Sequence, residues 1–376
     1  MNKPYVPFKL PLNDLVDVPS FLNELLEAVK YLGIYETSLN KSKIEPQLLM
    51  MPIVLKEAVQ STKIEGTQAT MNDMLEYNAD EKHINSDIQE VLNYRNALVK
   101  GQSLLKQIPL STRLLKNLHS ILLEGDVRGK HRSPGELRSI QNFIGPSGCT
   151  INNATFVPPE PQLVPEYMSN LEKYMNNPDD ELNDLIRIAI IHAQFETIHP
   201  FLDGNGRIGR ILIPLYLYDK NIIEKPIFFL SESLEKDKFK YYKLLNNFRV
   251  SVSENSSEED FNLARKNLTN WIKFFLESVV IQSKKNISLI ENIDNLYEIS
   301  INEARKVISS DRVIDIIRFM FRNPIFTKKR MAEELGYPIS TIGNYISRLE
   351  SIDIIFSDLQ RRNRKYYFYN LIELLS

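Results

Sequence analysis

Twelve consecutive residues, His199-Pro-Phe-Leu-Asp-Gly-Asn-Gly-Arg-Ile-Gly-Arg210, hold an imidazole, a carboxylate, three glycines, an asparagine and two guanidinium groups. Gly204 and Gly206 let main-chain N–H groups turn into one concavity, and a helix starting near Arg207 adds the positive end of its dipole. Such a concavity binds anions. Arg207 and Arg210 are three residues apart, hence neighbours on a first helical turn, where planar guanidinium groups suit phosphate oxygens. Beside them Asp203 is a hard oxygen donor of the kind that holds Mg²⁺ across a polyphosphate. His199, with an ordinary pKa of about 6.5, is the natural acceptor of a hydroxyl proton near neutral pH. The chemistry this set supports is attack of a hydroxyl on a polyphosphate.

The elements that must position these groups are mainly helical. Leu22, Leu25, Leu26, Val29 and Leu32 recur at helical spacing, as do Leu92, Tyr94, Ala97, Leu98, Leu104 and Leu105. Helices are expected over Leu163 to Met175 and Asp180 to Thr197, the second ended by Pro200. Between them and the earlier helices, a Pro- and Gly-rich stretch from Ser133 to Pro161 contains two strand-like pieces, Ser139 to Ile144 and Thr150 to Val157, which predict a β-hairpin flap. Near the C-terminus, Thr327 to Leu335, a Gly336 to Pro338 turn and Ser340 to Leu349, with Ser340 as N-cap, predict a helix-turn-helix. Strand-like Ile354 to Ser357 and Lys365 to Tyr369 around the basic turn Arg361 to Arg364 extend it to a winged helix. Val279 to Val307 is expected to be a polar helical connector. The expected divisions are therefore 1–85 (N-terminal helical region), 86–283 (core), 284–310 (connector) and 311–376 (winged helix).

The totals exclude several classes. In 376 residues, 43% are hydrophobic and 25% charged, enough to bury a substantial core. A formal charge of −2 argues against a wholly basic nucleic-acid coat. Pro4, Pro7 and Pro11 break up the start of the chain, and no apolar run approaches the roughly 20 residues of a membrane span, so a cytoplasmic protein without a membrane role is expected. Cys149 is the single cysteine and receives no role.

Three rival readings use the same residues. Gly204 to Gly209 also satisfies G-x-G-x-x-G, with Glu224 downstream as a ribose contact, but a dinucleotide fold needs a strand before the glycines. His192, Glu196, His199 and Asp203 have a spacing that would suit a metal hydrolase, although His192 in an apolar stretch reads as a core histidine. His83, His119 and His131 read as structural or surface residues. The third is a DNA-binding regulator worked by the winged helix and its basic turn.

The twelve residues resemble the Fic family motif, His-Pro-Phe-x-Asp/Glu-Gly-Asn-Gly-Arg-x-x-Arg, at every defined position. The resemblance implies transfer of AMP from ATP to a Ser, Thr or Tyr hydroxyl of a target protein, the chain itself included, with release of pyrophosphate. His199 would be the base and Asp203 the Mg²⁺ ligand. Gly204, Asn205, Gly206, Arg207, Ile208, Gly209 and Arg210 would make up the nucleotide site, with Arg210 on the γ-phosphate. Tyr241 resembles a family nucleotide contact in placement, while its own neighbours, Leu244 and Leu245, read as core. Ser61-Thr-Lys-Ile-Glu65-Gly66 resembles the family's inhibitory motif, which implies that Glu65, with Ser61, meets Arg210 and restrains the reaction. Read alone, Glu65 and Gly66 would simply end a surface helix. Some relatives use this glutamate to remove AMP, a homodimer can control access to it, and transfer of phosphate or another nucleotide remains the alternative within the class.

Overall fold

The structure, a computed structural model, describes residues 3–80, 84–146, 148–249, 256–358, 360 and 362–375. Arg361 and His83 lie outside the described residues. The N-terminal region contains α1 (Leu22–Lys41), α2 (Pro46–Ile64) and α3 (Met71–Asp80). Then come α4 (Ser86–Leu105), α5 (Thr112–Leu122), α6 (Val164–Asn176), α7 (Asp184–Ile198) and α8 (Asn205–Asp219). Two shorter helices, α9 (Ser231–Lys236) and α10 (Lys238–Phe248), precede α11 (Glu258–Val307), which runs for 50 residues. Local chemistry starts these helices where the sequence places caps. Asn85 accepts from the Ile88 N–H at 2.8 Å, Ser111 from that of Leu114 at 3.3 Å, and Ser257 with Asp260 forms a capping box.

α7 is the centre of the molecule. Every residue from Ile188 to Ile198 is buried, as is nearly all of α8, so both helices are covered on all sides. They pack against each other, with α4 and α5 against α8, and α6, α10 and α11 against α7. Trp271 of α11 is fully buried and donates its indole N–H to the Ala189 carbonyl at 2.8 Å. On the far side of the site, α2 is held between α4, α8 and α9 on one flank and the C-terminal segment on the other.

That segment consists of α12 (Val313–Arg322), β1 (Ile325–Thr327), α13 (Lys328–Leu335), α14 (Ile339–Glu350), β2 (Phe356–Ser357), β3 (Lys365–Tyr367) and α15 (Tyr369–Leu375). The strands form an antiparallel sheet in the order β1-β3-β2, with Tyr367 opposite both Ile325 and Phe356. It docks on the N-terminal region through Glu76 of α3, which accepts from Lys365 and from the Tyr367 hydroxyl (2.8 Å), and through an Arg318 to Glu45 pair at 3.2 Å.

Four local expectations change. The flap is not a ladder: Ile144 and Phe156 form one isolated bridge, with N–H···O distances of 2.8 and 3.0 Å. Gly145 and Pro146 end one arm, and Ile151–Asn153 winds into a 3₁₀ turn capped by Thr150 and Asn153. The apolar stripe of α1 divides: Leu25 and Leu32 are buried with Ala28, Tyr35 and Leu39, while Leu22, Leu26 and Val29 are exposed. Ser340 lies inside α14, whose N-cap is Pro338. The connector is not a separate element, because α11 passes without a break from the core packing around Trp271 to Val307. Among the described residues, no helix is long and apolar enough to cross a membrane.

Trp271→Ala removes the largest fully buried side chain and the indole N–H donated to the Ala189 carbonyl inside α7. The expected loss is about 3–5 kcal/mol, read as a lower urea midpoint by circular dichroism with an unchanged m-value.

Candidate active site

The residues 199–204 connect the C-terminus of α7 to the N-terminus of α8. His199 takes the left-handed conformation (φ 49°, ψ 60°) as C-cap of α7, and Gly204 takes it (φ 76°) as N-cap of α8. For a side-chain-bearing residue such as His199 that conformation costs on the order of 1–2 kcal/mol, so the surroundings must hold it. Asn205 closes the turn: its side-chain oxygen accepts from the Phe201 N–H and its NH₂ donates to the Phe201 carbonyl, both at 2.8 Å. Its amide is thus spent on shaping the loop. His119 of α5 braces the other side. Its Nδ1 accepts from the Gly135 N–H at 2.8 Å, which leaves the proton on Nε2 to be donated to the Asp203 carbonyl at 2.9 Å. The ring lies flat on Phe201 with centroids 3.9 Å apart, and burial pushes its pKa down to about 4.

Arg210 is 2% exposed and points across the start of α8. Its Nε donates to the Ser61 hydroxyl at 2.8 Å, and its Nη2 donates to the Ser61 carbonyl at 3.0 Å and to Glu65 Oε1 at 2.7 Å. Burial opposes charge on both partners, yet the pair wins: Glu65 is held below its ordinary value by Arg210, Arg207 and Arg128, and Arg210 is raised by Glu65. The carboxylate rests on Gly206, where a Cβ would overlap Glu65 Oε1 and touch an Arg210 nitrogen. Glu65 therefore occupies the N-terminal end of α8 itself, the anion concavity predicted from Gly204 and Gly206. The end of α2 is fastened there: Arg128 donates to the Glu65 carbonyl at 2.7 Å, and Lys238 donates to that of Ile64.

Arg207 departs from the expectation that it faces the same phosphates. It is fully buried, 3.4 Å from both Glu90 of α4 and Asp203. Glu90 also accepts from the Thr67 hydroxyl (2.8 Å) and the Arg128 N–H (3.2 Å), so it gathers α4, the chain after α2 and the 199–210 segment at one carboxylate. Ile208 is core. Gly209 has no room for a Cβ, which would overlap Glu196 Oε1. Tyr241 is 1% exposed and lies beneath the site, its hydroxyl 2.9 Å from His192 Nε2, while His192 Nδ1 lies 3.0 Å from the Gly209 carbonyl. The carbonyl can only accept, so Nδ1 carries the proton and Tyr241 donates to Nε2.

His199 is half-buried, with Nδ1 enclosed and without a hydrogen bond. Burial, then the charges of Arg249 and Arg138, push its pKa down to about 3. Below it Glu196 is buried and raised to about 7 by desolvation, against the pull of Arg210. Asp203 is 29% exposed; its Oδ1 accepts from the Gly204 N–H at 2.6 Å.

Both rivals built on these residues lose their geometry. α7 precedes Gly204 where a dinucleotide fold requires a strand, and the sheet of the described residues lies in the C-terminal segment. The His192 nitrogens face Gly209 and Tyr241 rather than His199, and no group of three metal-capable side chains occurs among the described residues. Sequence reasoning missed Arg128, Glu90, Lys238 and Arg138, and gave His119 no place at the site. Arg138, Arg128, His119 and Glu90 lie 61 to 117 residues from their partners and Lys238 lies 174 from its own, and no local periodicity marks them.

A helix C-terminus carrying a left-handed histidine is set beside a glycine-lined helix N-terminus filled by a carboxylate from elsewhere in the chain, an arrangement suited to an anion next to an imidazole. Comparison with known proteins gives the family. The profile of the Fic/DOC family matches residues 109–217, and that of the Fic/DOC family N-terminal region matches residues 22–103. The chain belongs to the Fic/DOC family. It is 38% identical over 78 residues to a probable protein adenylyltransferase of Aquifex aeolicus, covering 20% of this chain and 24% of that protein. It is 29% identical over 118 residues to the protein adenylyltransferase fic-1 of Caenorhabditis elegans, covering 29% and 22%. The chain thus spans about a quarter of the length of these curated relatives. In fold it is similar to a Fic family protein from Desulfovibrio desulfuricans, with a TM-score of 0.59 at 19% identity over 98% of both chains. A Fic domain containing signaling protein from Bacteroides thetaiotaomicron matches with a TM-score of 0.53 at 20% identity, over 70% of this chain and 97% of that one.

The depressed His192 has a measurable consequence. A histidine buried in its neutral form favours the folded state above its unfolded pKa of about 6.5, and that contribution is lost as pH falls from there towards the folded value of about 3. His192→Gln should therefore be less stable at pH 7, yet lose stability on acidification less steeply, by about 1.4 kcal/mol per pH unit near pH 5. Glu57 and Glu196, both raised to about 7, act in the opposite direction but equally in both proteins. Urea titrations at several pH values provide the slopes.

Proposed function

We propose that the chain is a protein adenylyltransferase, transferring AMP from ATP to a Ser, Thr or Tyr hydroxyl of a target protein, and that Glu65 restrains it. The observation that carries this reading is the Glu65 carboxylate lying on Gly206 against Arg210, in the concavity where a nucleotide phosphate would sit. In this reading Glu65 stands in for a phosphate oxygen, and only its departure frees the guanidinium of Arg210 to orient the end of the polyphosphate.

His199 Nε2 then takes the proton of the attacking hydroxyl, since Nδ1 is enclosed. The oxygen forms a bond to the α-phosphorus as the bond to pyrophosphate breaks, and pyrophosphate carries away the electron pair. The low pKa of His199 keeps the imidazole neutral, and so able to accept that proton, throughout the physiological range. Asn205, His119 and Glu90 take part indirectly, by holding the turn, Asp203 and Arg207. The residues fit Mg²⁺ brought in with ATP: Asp203 offers one partly exposed carboxylate, and the phosphates and water supply the remaining oxygens in such sites. When bound, the ion would neutralise charge on the phosphates.

With α-³²P-ATP and Mg²⁺, Glu65→Gly should raise covalent self-labelling about tenfold or more, the effect of removing a restraint of roughly 1.4 kcal/mol. Adding His199→Ala should lower it again by about 10²–10⁴-fold. Label from γ-³²P-ATP alone would mean phosphoryl transfer instead. No label from either, with folded protein, overturns the transfer reading and directs attention to removal of AMP from modified protein.

A second reading attaches to the C-terminal segment. Ser340, Asn344 and Ser347 are exposed along one edge of α14, and Arg362 is exposed in the β2–β3 turn, a polar helix edge beside a basic turn of the kind that lies against a DNA groove. Retention of the full chain on duplex DNA should weaken with salt and be lost with Arg362→Glu combined with Arg364→Glu; unchanged retention removes this reading.

A further inference from the structure

Among the described residues three arginines are buried, Arg138, Arg207 and Arg210, and the last two pair with carboxylates; Arg138, 2% exposed, meets carbonyls instead, and the mechanism above leaves it unused. Its Nε donates to the His199 carbonyl at 2.9 Å and its Nη2 to the carbonyls of Ile198, at 3.3 Å, and Pro159. Its own N–H donates to the Pro200 carbonyl at 2.9 Å. Four residues on, the Asn142 NH₂ donates to the Phe201 carbonyl at 3.0 Å. The carbonyls of residues 198, 199, 200 and 201 thus all accept from the first arm of the flap. The helix end explains the need. The last carbonyls of α7 have no partner within the helix, His199 has turned left-handed, and Pro200 prevents the helix from continuing.

We propose that Arg138 is a positioning residue for the transfer reaction, holding His199 in its left-handed conformation and tying the aim of the imidazole to the flap. The inference rests on the reading of His199 as the base. A lysine reaches one of these carbonyls but cannot span three with a planar group. The charged groups acting on the His199 ring are the cations Arg249 and Arg138 and the carboxylate of Glu65, while Glu196 meets it through its main chain. Loss of Arg138 therefore changes the ring's orientation and removes one of its two cations.

The test compares Glu65→Gly with the same protein also carrying Arg138→Gln or Arg138→Lys. Two readouts are taken: steady-state transfer from α-³²P-ATP, and proton–carbon NMR of histidine Cε1–H, with the His199 signal identified by its loss in His199→Ala. Arg138→Gln should lower kcat by about 10²-fold, the cost of misplacing a catalytic group by about 1 Å, while KM for ATP changes less than about threefold. The His199 titration should move upward from its depressed position. Arg138→Lys should lower kcat with the titration nearly in place. A kcat within twofold of the parent for the folded Gln variant, or a His199 signal that does not shift in either chemical shift or titration, overturns the proposal. If the parent transfers no label, the functional reading fails, and the NMR comparison still decides whether Arg138 sets the histidine. If Arg138→Gln does not fold, the Lys variant carries the decision through its kcat and the His199 chemical shift.

Discussion

Six residues, His199 to Gly204, separate the last carbonyls of one buried helix from the first N–H groups of another. Both sets of groups are unpaired by the nature of helix ends, both lie in the middle of the protein, and water cannot satisfy all of them. Much of the surrounding structure answers that constraint. Asn205 and Asn142 meet Phe201, Arg138 meets the carbonyls before it, and His119 meets Asp203. The positive N-terminal end of α8 above Gly206 is met by the carboxylate of Glu65.

The two members of the Arg210 to Glu65 pair differ in burial. Arg210 is almost wholly buried, and an uncompensated charge there would be costly, so some anion must always face it. Glu65 keeps about a quarter of its side-chain surface open and is the C-cap residue of α2, after which Gly66 adopts a left-handed turn (φ 99°). It is thus the more exposed of the two partners. α2 contacts α12 and α15 on its outer flank, while Arg128 and Lys238 hold the carbonyls at its end. Any movement of Glu65 is consequently coupled to segments on both sides of that helix.

What could be read from the chain was whatever depends on neighbours in sequence. Pro200 ending α7 and the glycines of the turn act over four residues or fewer, and the structure places them accordingly. The direction of a helical face was less legible. Leu22, Leu26 and Val29 share a stripe with Leu25 and Leu32, but α11 covers only one edge of it, and nothing in the spacing says which. Arg207 and Arg210 look equivalent by spacing, three apart on one turn. Glu90, more than a hundred residues earlier, draws the first into the core, while Ser61 and Glu65 draw the second across the helix end. The flap loses its ladder for a related reason: its polar groups are used on residues 198–201 and on its own turn instead of on a facing strand.

By itself, then, the sequence determined the identity and spacing of the groups at the helix junction, the helical character of most of the chain, and the family those residues belong to. These are local properties, set by proline, glycine and capping chemistry within a few bonds. Only the tertiary structure decided which of those groups face a ligand and which face protein. The partners that settle it, Glu65 and Ser61 for Arg210, Glu90 for Arg207, His192 for Tyr241 and Arg138 for His199, lie about 50 to 150 residues away along the chain. Burial makes each of those choices, because a polar group taken out of water must find its partner wherever the fold brings one.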